Sequence, residues 1–475
     1  MSHFLNWKTT VVIFPKMIPL NDTIAAIATP VGEGGISVIR ISGPEARGIA
    51  GRHFQGRSPL VSVSTHTAHF GKFLDNGGSI IDEVVATVFI EPQSYSGEDI
   101  VEISCHGGML VTQRILTELI KAGARLATPG EFTKRAFLNG KLDLSQAEAV
   151  ADLIQARSQA AHAVSIMQLE GRLSNEVGLI RNQLTDLASL IELGLDFSEE
   201  DVSFASQQQI TQSIAEVRDK INSMIESYSS GRVCKEGIRV VLTGRPNVGK
   251  SSVLNRLLNT DRAIVTEIPG TTRDLIEETI TIGGVSYVLV DTAGLRDSSD
   301  IVEREGIARS EQQLSKADII LLILDLSVDI NVPDTALFSR LKDLNKPVIV
   351  VGNKSDLANS DGKKKLKCLS GSGEVIVSAK FNRGFEEMRE ALARSSTVDN
   401  FSEKSFLVSN LRHQQCLFSA AESLKKASAS VSASMTGEFI SLDIRKACDA
   451  LGEIIGEVTN DDILNNIFSR FCIGK

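Results

Sequence analysis

The feature that most constrains this fold is a glycine-rich segment, Gly244-Arg-Pro-Asn-Val-Gly-Lys-Ser251, directly after the apolar run Ile238–Thr243. A short apolar run predicts a buried strand, and the glycines let the chain turn sharply into a helix. In such a loop, backbone N–H groups face a phosphate chain, Lys250 supplies a cation, and the Ser251 hydroxyl suits Mg²⁺. The segment therefore predicts a phosphate-binding loop in an α/β domain.

Three further motifs follow in order and predict the nucleotide. The apolar run Tyr287–Val290 ends in Asp291-Thr-Ala-Gly294, which places a carboxylate near Mg²⁺ and a glycine N–H near the γ-phosphate. In Asn353-Lys-Ser-Asp356 the Asp356 carboxylate can accept two hydrogen bonds from the N1–H and N2–H₂ groups of guanine, and adenine lacks these donors. Ser378-Ala-Lys380 would present backbone N–H groups to the guanine carbonyl. Together the motifs predict a domain that binds and hydrolyses GTP.

The segment Thr266–Asp274 is interpreted as a switch loop, in which Thr272 completes the Mg²⁺ shell when GTP is bound. The alternative is a Pro-Gly turn with a threonine cap. Leu295 stands where an amide could orient the attacking water, and a leucine cannot do so. The acidic candidates for that role are Asp297, Asp300, Glu303 and Glu305, and their spacing does not choose among them.

Length and composition indicate about three domains with ordinary hydrophobic cores, since the chain has 475 residues of which 42% are hydrophobic. The net charge of -9 excludes a global positive field for a polyanion. Six cysteines without a C-x-x-C pair argue against disulfide and zinc frameworks. Without a transmembrane-length run or a cleavage-site pattern, we expect a cytoplasmic protein that does not use a membrane.

The segments on either side of the nucleotide motifs differ in pattern. Before residue 138, strand-like runs and one helical stretch, Leu110–Ala122, predict a small α+β domain. Helical periodicity then runs from Ser145 to Phe197, and a second helix, Ile210–Ile225, leads through Ser229-Ser-Gly231 into the nucleotide domain. Further helices are predicted after Val408. One helical domain built from both flanks, with the GTPase inserted in it, is the economical arrangement.

Several strings outside the nucleotide motifs narrow the family. They are Asp22–Ala25, Gly34–Gly43, Tyr95–Asp99, Cys105–Gly108, Pro129–Leu144 and the terminal Phe471-Cys-Ile-Gly-Lys475. These strings closely resemble the MnmE (TrmE) family of bacterial tRNA modification GTPases, and the resemblance covers Asp22 to Lys475.

The resemblance implies a multidomain fold of α/β and α+β parts. Its boundaries would be an extension at 1–20, a tetrahydrofolate-binding and dimerisation domain at 21–137, helical segments at 138–231 and 398–475, and a Ras-like G domain at 232–397. It also implies a homodimer and a heterotetramer with the FAD-containing partner MnmG (GidA). That complex would install a carboxymethylaminomethyl or aminomethyl group at C5 of the tRNA wobble uridine, U34. GTP hydrolysis, activated by K⁺ through G-domain dimerisation, would drive the conformational change.

Site residues follow from the motifs together with the resemblance. The GTP set is Asn247, Val248, Gly249, Lys250, Ser251, Ser252, Thr266, Glu267, Ile268, Pro269, Gly270, Thr271, Thr272, Asp291, Thr292, Ala293, Gly294, Asn353, Lys354, Asp356, Ser378, Ala379 and Lys380. Mg²⁺ is expected at Ser251 and Thr272. By resemblance, K⁺ would bind Asn247, Thr266, Ile268 and Thr271, and Glu303 would orient water.

By the same resemblance, 5-formyl- or 5,10-methylene-tetrahydrofolate would contact Arg40, Glu102, Lys141 and Lys475. The alternative makes these residues surface charges and a frayed terminus. Cys472 is interpreted as a modification-site thiol, with a buried structural cysteine as the alternative. Two rival functions remain open here. One is a ribosome-assembly GTPase, which should carry a basic RNA-binding domain, and the other is a GTP-dependent scaffold with negligible turnover.

Overall fold

The computed structural model describes residues 22–196, 206–260, 277–291, 311–358, 366, 369, 373–396 and 407–475. They divide into two compact units. The first contains the described residues up to Ile154, together with Gln168–Asn222 and Gln415–Lys475. The second contains Gln155–Met167 and Ser223–Gln414.

The first unit begins with a mixed sheet, which in the described residues has the strand order β3-β4-β5-β6-β2-β1-β7. Its strands are β1 (Ile24–Ile27), β2 (Gly34–Ser42), β3 (Phe54–Gly56), β4 (Thr67–Leu74), β5 (Ile80–Phe89), β6 (Ile100–Gly107) and β7 (Arg125–Leu126). The β1–β7 pair is parallel and the other pairs are antiparallel.

One face of this sheet carries the main core. The other face is covered at β1, where Ile24 and Ala26 are buried with Phe132, and is open at β4 and β5. Along β5, Val84, Ala86 and Val88 are buried, because every second side chain points to the same face. Helices α1 (Ala46–His53) and α2 (Met109–Lys121) contribute apolar side chains to the same cluster. The α+β prediction for this segment is confirmed.

Helices from both ends of the chain complete the first unit. They include α3 (Glu131–Leu138), α4 (Leu144–Gln155), α6 (Arg172–Asp196), α11 (Leu411–Ser432), α12 (Gly437–Ile455) and α13 (Asp461–Phe468). Helix α12 packs on α6, where Arg181 Nε donates to the Cys448 carbonyl at 3.2 Å. The predicted helical domain built from two chain segments is therefore confirmed.

The carboxyl-terminal residues pack against the segment that follows the sheet. Phe468 and Phe471 share one buried cluster with Phe137 of α3 and Leu144 of α4. A Cβ at Gly130 would lie 2.7 Å from the Phe468 carbonyl oxygen, so the two segments approach at backbone distance. This packing brings the chain end back to the amino-terminal sheet.

The second unit is an α/β domain with the strand order β13-β12-β11-β8-β10-β9 among the described residues. The strands are β8 (Ile238–Thr243), β9 (Glu277–Ile282), β10 (Val285–Asp291), β11 (Ile319–Asp325), β12 (Val348–Asn353) and β13 (Gly373–Ile376), and its helices include α5 (Gln159–Leu169), α8 (Lys250–Thr260), α9 (Val332–Lys342) and α10 (Phe385–Ser395). The β9–β10 pair is antiparallel and the other pairs are parallel. Buried clusters lie on both faces, which explains the continuous apolar strands.

The predicted end of the helix Ile210–Ile225 is wrong. The chain does not leave its helix at Ser229-Ser-Gly231, because α7 runs without a break from Gln207 to Glu236. A Cβ at Gly231 would lie 2.2 Å from the Val408 carbonyl oxygen. This glycine therefore permits close approach of a second chain segment, and it does not end the helix.

No helix within the described ranges combines the length and apolarity needed to cross a bilayer.

Candidate functional site

The phosphate-binding loop leaves the end of β8, which lies between β10 and β11. Its two glycines have positive φ angles, 147° at Gly244 and 92° at Gly249. A Cβ would lie 2.3 Å from the Ile323 carbonyl oxygen in the first case and 2.4 Å from Asn353 Nδ2 in the second. Both positions thus require glycine for conformation and for space, as the sequence predicts.

Lys250 opens α8 and lies across this loop. Its Nζ donates to the carbonyl oxygens of Gly244 at 3.0 Å and Arg245 at 2.8 Å. The side chain is buried, so its ammonium group is held over the loop that the sequence assigns to the phosphates. The arrangement fits a triphosphate, whose oxygens could replace these carbonyl acceptors.

Ser251 and Asp291 form the predicted Mg²⁺ position. Ser251 Oγ, at the start of α8, donates to Asp291 Oδ2, at the end of β10, at 2.9 Å. They meet because parallel strands place their carboxyl ends at one edge of the sheet. A hydroxyl and a carboxylate supply the oxygen ligands that Mg²⁺ prefers, so this pair fits the ion.

The base-recognition segment, Asn353-Lys-Ser-Asp356, is hydrogen-bonded directly to the phosphate-binding loop. Asn353 Nδ2 donates to the Val248 carbonyl at 3.0 Å, and Asn353 Oδ1 accepts from Ala379 N at 3.2 Å. Lys354 Nζ donates to the Asn247 carbonyl at 3.1 Å. Residues from three of the predicted motifs therefore lie in one hydrogen-bonded group.

Asp356 has the properties needed to accept hydrogen bonds from guanine. Ser378 Oγ donates to its Oδ1 at 2.6 Å. That hydrogen bond lowers the pKa of Asp356 below its ordinary value, and the charges of Lys380 and Arg383 act in the same direction. The carboxylate is ionised at neutral pH and has acceptors but no donor, which fits guanine N1–H and N2–H₂.

Two partners of these motifs were missed in the sequence. Asp325 ends β11, and its Oδ2 lies 2.5 Å from Lys354 Nζ. Burial raises the pKa of Asp325, but its hydrogen bonds with Lys354 and Ser327 and the charge of Lys354 together outweigh this, so the net pKa is lowered. Its place at the end of an apolar run was an available signal. Arg245 Nε donates to Asp334 Oδ1 at 2.7 Å, and no spacing pattern predicts that contact.

Several predicted site residues lie outside the described part of the chain. They are Thr266, Glu267, Ile268, Pro269, Gly270, Thr271, Thr272, Thr292, Ala293, Gly294 and Glu303. Of the predicted K⁺ set, Asn247 is described, and its φ angle is 64°.

The structure brings three of the four predicted folate residues together in the first unit. Arg40 and Glu102 are directly opposite on β2 and β6, with Arg40 Nη2 2.7 Å from Glu102 Oε1. Arg40 Nη1 donates to the Gly474 carbonyl at 3.4 Å. Burial lowers the pKa of Lys475, the Arg40 charge lowers it further, and Glu102 opposes both. The terminus is packed at this ion pair, so the interpretation as a frayed end is wrong.

Lys141, the fourth predicted folate residue, lines a cavity next to the Arg40–Glu102 pair. A cavity of about 380 Å³ is lined by Lys141 and Tyr95, together with His66, Phe89, Gln93 and Ser94. The Arg40 guanidinium carbon is 5.4 Å from the centroid of the Tyr95 ring, which connects this cavity to the Arg40–Glu102 pair. An aromatic ring beside an ion pair fits a flat heterocycle with donor and acceptor edges.

Cys472 is exposed, so the alternative of a buried structural cysteine is wrong. No disulfide joins the cysteines in the described ranges, which are Cys105, Cys234, Cys416, Cys448 and Cys472.

Comparisons with known proteins cover almost the whole chain. The family model "GTP-binding protein TrmE N-terminus" matches residues 23–141, and "MnmE helical domain" matches residues 144–472. Proteins named tRNA modification GTPase MnmE from Christiangramia forsetii and Salinibacter ruber are each 44% identical, over 96% of this chain and 100% and 99% of their own lengths. The one from Cytophaga hutchinsonii is 43% identical over 96% of this chain and 98% of its own length. Taken with the geometry of the nucleotide site, these matches show that the chain belongs to the MnmE (TrmE) family of GTP hydrolases.

Proposed function

We propose that this GTP hydrolase acts in the cytoplasm on tRNA, in the C5 carboxymethylaminomethyl or aminomethyl modification of the wobble uridine U34, with a FAD-containing partner of the MnmG (GidA) type. The observation that carries the proposal is the packing of the last residues of the chain at the Arg40–Glu102 pair, where Arg40 donates to the Gly474 carbonyl, outside the nucleotide domain. Hydrolysis of GTP does not need such a site. Relatives named tRNA modification GTPase match across 96% of the chain, and the amino-terminal family model, which matches residues 23–141, includes Arg40 and Glu102.

In the GTP step, the γ-phosphorus is attacked by water and the bond to the β–γ bridging oxygen breaks, which yields GDP and phosphate. Lys250 would bind the outer phosphates, Ser251 and Asp291 would hold Mg²⁺, and Asp356 would select guanine. Glu303 is proposed to orient the water. Its replacement by alanine should reduce hydrolysis strongly, and an unchanged rate would favour the scaffold alternative.

K⁺ is proposed to bind at Asn247, Thr266, Ile268 and Thr271 and to neutralise charge that develops between the β- and γ-phosphates. Hydrolysis should therefore be faster in K⁺ than in Na⁺ at equal ionic strength. The Asn247→Ala variant should lose this difference. Equal rates for the unchanged protein in the two salts would contradict the K⁺ site.

A tetrahydrofolate derivative is proposed to bind at Arg40, Glu102, Lys141 and Lys475. Glu102 would accept hydrogen bonds from the pterin, and the cations would meet the glutamate tail. Calorimetry with 5-formyl-tetrahydrofolate should show weaker binding to Glu102→Gln while GTP hydrolysis is unchanged. Glu83→Gln, an exposed change on β5 of the same sheet, is the matched control. Equal affinities of both variants would contradict the assignment.

A homodimer is proposed through the part of the amino-terminal sheet that is open at β4 and β5. Phe70 on β4 is 67% exposed and lies directly opposite Val85 on β5, which is 37% exposed. An apolar cross-strand pair left open to water favours burial against a second copy. Phe70→Asp should reduce the mass measured by light scattering to that of a monomer, and a mass that stays at two chains would exclude this face.

The decisive experiment is mass spectrometry of tRNA nucleosides from a bacterium that lacks its own MnmE relative. Expression of this chain should restore the C5-modified wobble uridine, whereas the Lys250→Ala variant should not. If the chain fails, its own MnmG-type partner is co-expressed. If the modified uridine is still not restored by a chain that hydrolyses GTP, the tRNA function is rejected and the ribosome-assembly alternative is favoured. The match to the amino-terminal family model argues against that alternative.

A further inference from the structure

Arg256 connects α8, the helix that follows the phosphate-binding loop, to the segment Ser378-Ala-Lys380, which is predicted to contact the guanine base. It lies on α8, which begins at Lys250. Its Nε donates to the Ala379 carbonyl at 2.9 Å, and its Nη2 donates to the Lys380 carbonyl at 3.4 Å. One guanidinium group thus holds two consecutive carbonyl groups of the segment predicted to meet the guanine carbonyl.

The backbone N–H groups of residues 379–381 differ in whether they have an acceptor in the described part of the chain. Ala379 N–H donates to Asn353 Oδ1 at 3.2 Å, and Phe381 N–H donates to Ser378 Oγ at 3.4 Å. For Lys380 N–H, the described residues provide no acceptor. Among residues 379–381, this donor is therefore the one for which the described residues leave a ligand as the partner.

The guanidinium controls where this donor points. In a trans peptide the C=O and the following N–H point in opposite directions. Holding the Ala379 carbonyl towards Arg256 therefore directs the Lys380 N–H away from α8. The positive charge of the Arg256 guanidinium, next to the Ala379 carbonyl, also polarises the Ala379–Lys380 peptide. This makes the Lys380 N–H a stronger hydrogen-bond donor.

The side chain of Lys380 has a separate contact. Its Nζ lies 5.3 Å from the centroid of the exposed Phe381 ring. This places the ammonium group over an aromatic face, so the contribution of Lys380 to the base site is through its backbone.

We propose that Arg256 is a positioning residue for guanine recognition, which orients the Ala379–Lys380 peptide so that Lys380 N–H donates to the carbonyl O6 of the base. This rests on the proposed GTP site and deepens it. Asp356 would read the N1–H and N2–H₂ groups, and the peptide held by Arg256 would read the carbonyl group. The two contacts together would distinguish guanine from every base that lacks either feature.

The test compares three diphosphates on the full chain by equilibrium titration. GDP has O6 and the 2-amino group, IDP has O6 alone, and 2-aminopurine riboside diphosphate has the 2-amino group alone. Arg256→Ala should weaken GDP and IDP by about five- to tenfold, the worth of one hydrogen bond, and leave the 2-aminopurine nucleotide within about twofold. Asn255→Ala, an exposed neighbour on α8, should change none of them.

Two results would overturn the proposal. Equal weakening of all three nucleotides would mean that Arg256 only maintains the loop, and unchanged GDP binding would mean that it has no role. If Arg256→Ala does not fold, Arg256→Lys decides by the same comparison, because an ammonium group lacks the planar fork that holds two carbonyls. Failure of the unchanged protein to bind GDP would instead refute the GTP site itself.

Discussion

Asn353 of the base-recognition segment donates from Nδ2 to the carbonyl oxygen of Val248 in the phosphate-binding loop, at 3.0 Å. The side chain is only 2% exposed, and its other end accepts from Ala379 N. This one amide therefore sets the separation between the phosphate loop and the base loop, so both ends of a nucleotide depend on it.

Asn353→Ala should remove both hydrogen bonds and leave buried polar groups without their partner. We expect a loss of about 1–3 kcal/mol in the free energy of unfolding of the nucleotide domain, and at least about tenfold weaker GDP binding. Denaturant titration and nucleotide titration measure the two effects. Asn255→Ala on α8 is the exposed control, and equal behaviour of the two variants would contradict the bridging role.

Asp356→Asn should change the nucleotide that is preferred. The introduced amide can donate to the C2 carbonyl of xanthine, whereas the native carboxylate, whose pKa is lowered by the Ser378 hydrogen bond, accepts from guanine. We expect GTP hydrolysis to fall and XTP hydrolysis to rise under the same conditions. Unchanged GTP hydrolysis with no gain in XTP hydrolysis would mean that Asp356 does not read the base.

Gly231→Ala tests the close approach of α7 to Val408. Its Cβ would lie 2.2 Å from a backbone oxygen that cannot turn aside, so we expect destabilisation of about 1–3 kcal/mol. Gly178→Ala on α6 is the matched control, because nothing lies within 4 Å of its Cβ position. That change should stabilise the protein by up to about 1 kcal/mol through helix propensity. Thermal unfolding of both variants gives the comparison, and two shifts of the same sign would contradict it.

Glu131 should make stability depend on pH in acid. Burial raises its pKa, but hydrogen bonds from Arg125, Thr128 and Arg135 outweigh this and bring the pKa to about 2, below the ordinary 4.5. Because the folded pKa is depressed, the stabilisation is complete above pH 4.5 and is lost as the pH falls towards 2. The difference corresponds to about 3 kcal/mol.

The measurement is denaturant unfolding between pH 7 and pH 3, with the unchanged protein compared with Glu131→Gln. The variant should be less stable at pH 7, and the gap should narrow as the pH falls below 4.5. A gap that does not depend on pH would show that the contribution of Glu131 comes from packing and not from its charge. Glu83→Gln, which is exposed on β5, controls for a general change in net charge.

Much of the nucleotide site could be predicted because its residues lie in short segments after apolar strands. Lys250, Ser251, Asp291 and Asp356 were each placed by local spacing, and the parallel sheet brings their strand ends to one edge. The helix through Ser229–Gly231 was mispredicted because serine and glycine usually mark a turn. Here the glycine is needed for a different reason, which is the close packing of the helix against the Val408 carbonyl.

The sequence by itself determined the order of the nucleotide motifs, the position of the carboxylate proposed to read guanine and the helical flanks, since each depends on residue type and periodicity within a short stretch. The tertiary structure alone decided that Arg40 meets the Gly474 carbonyl and that Arg256 holds the Ala379 carbonyl. These partners are separated by more than a hundred positions, so no local preference relates them. Their contacts exist because the apolar faces of the elements that carry them are buried together, and only the packed chain specifies which polar groups then meet.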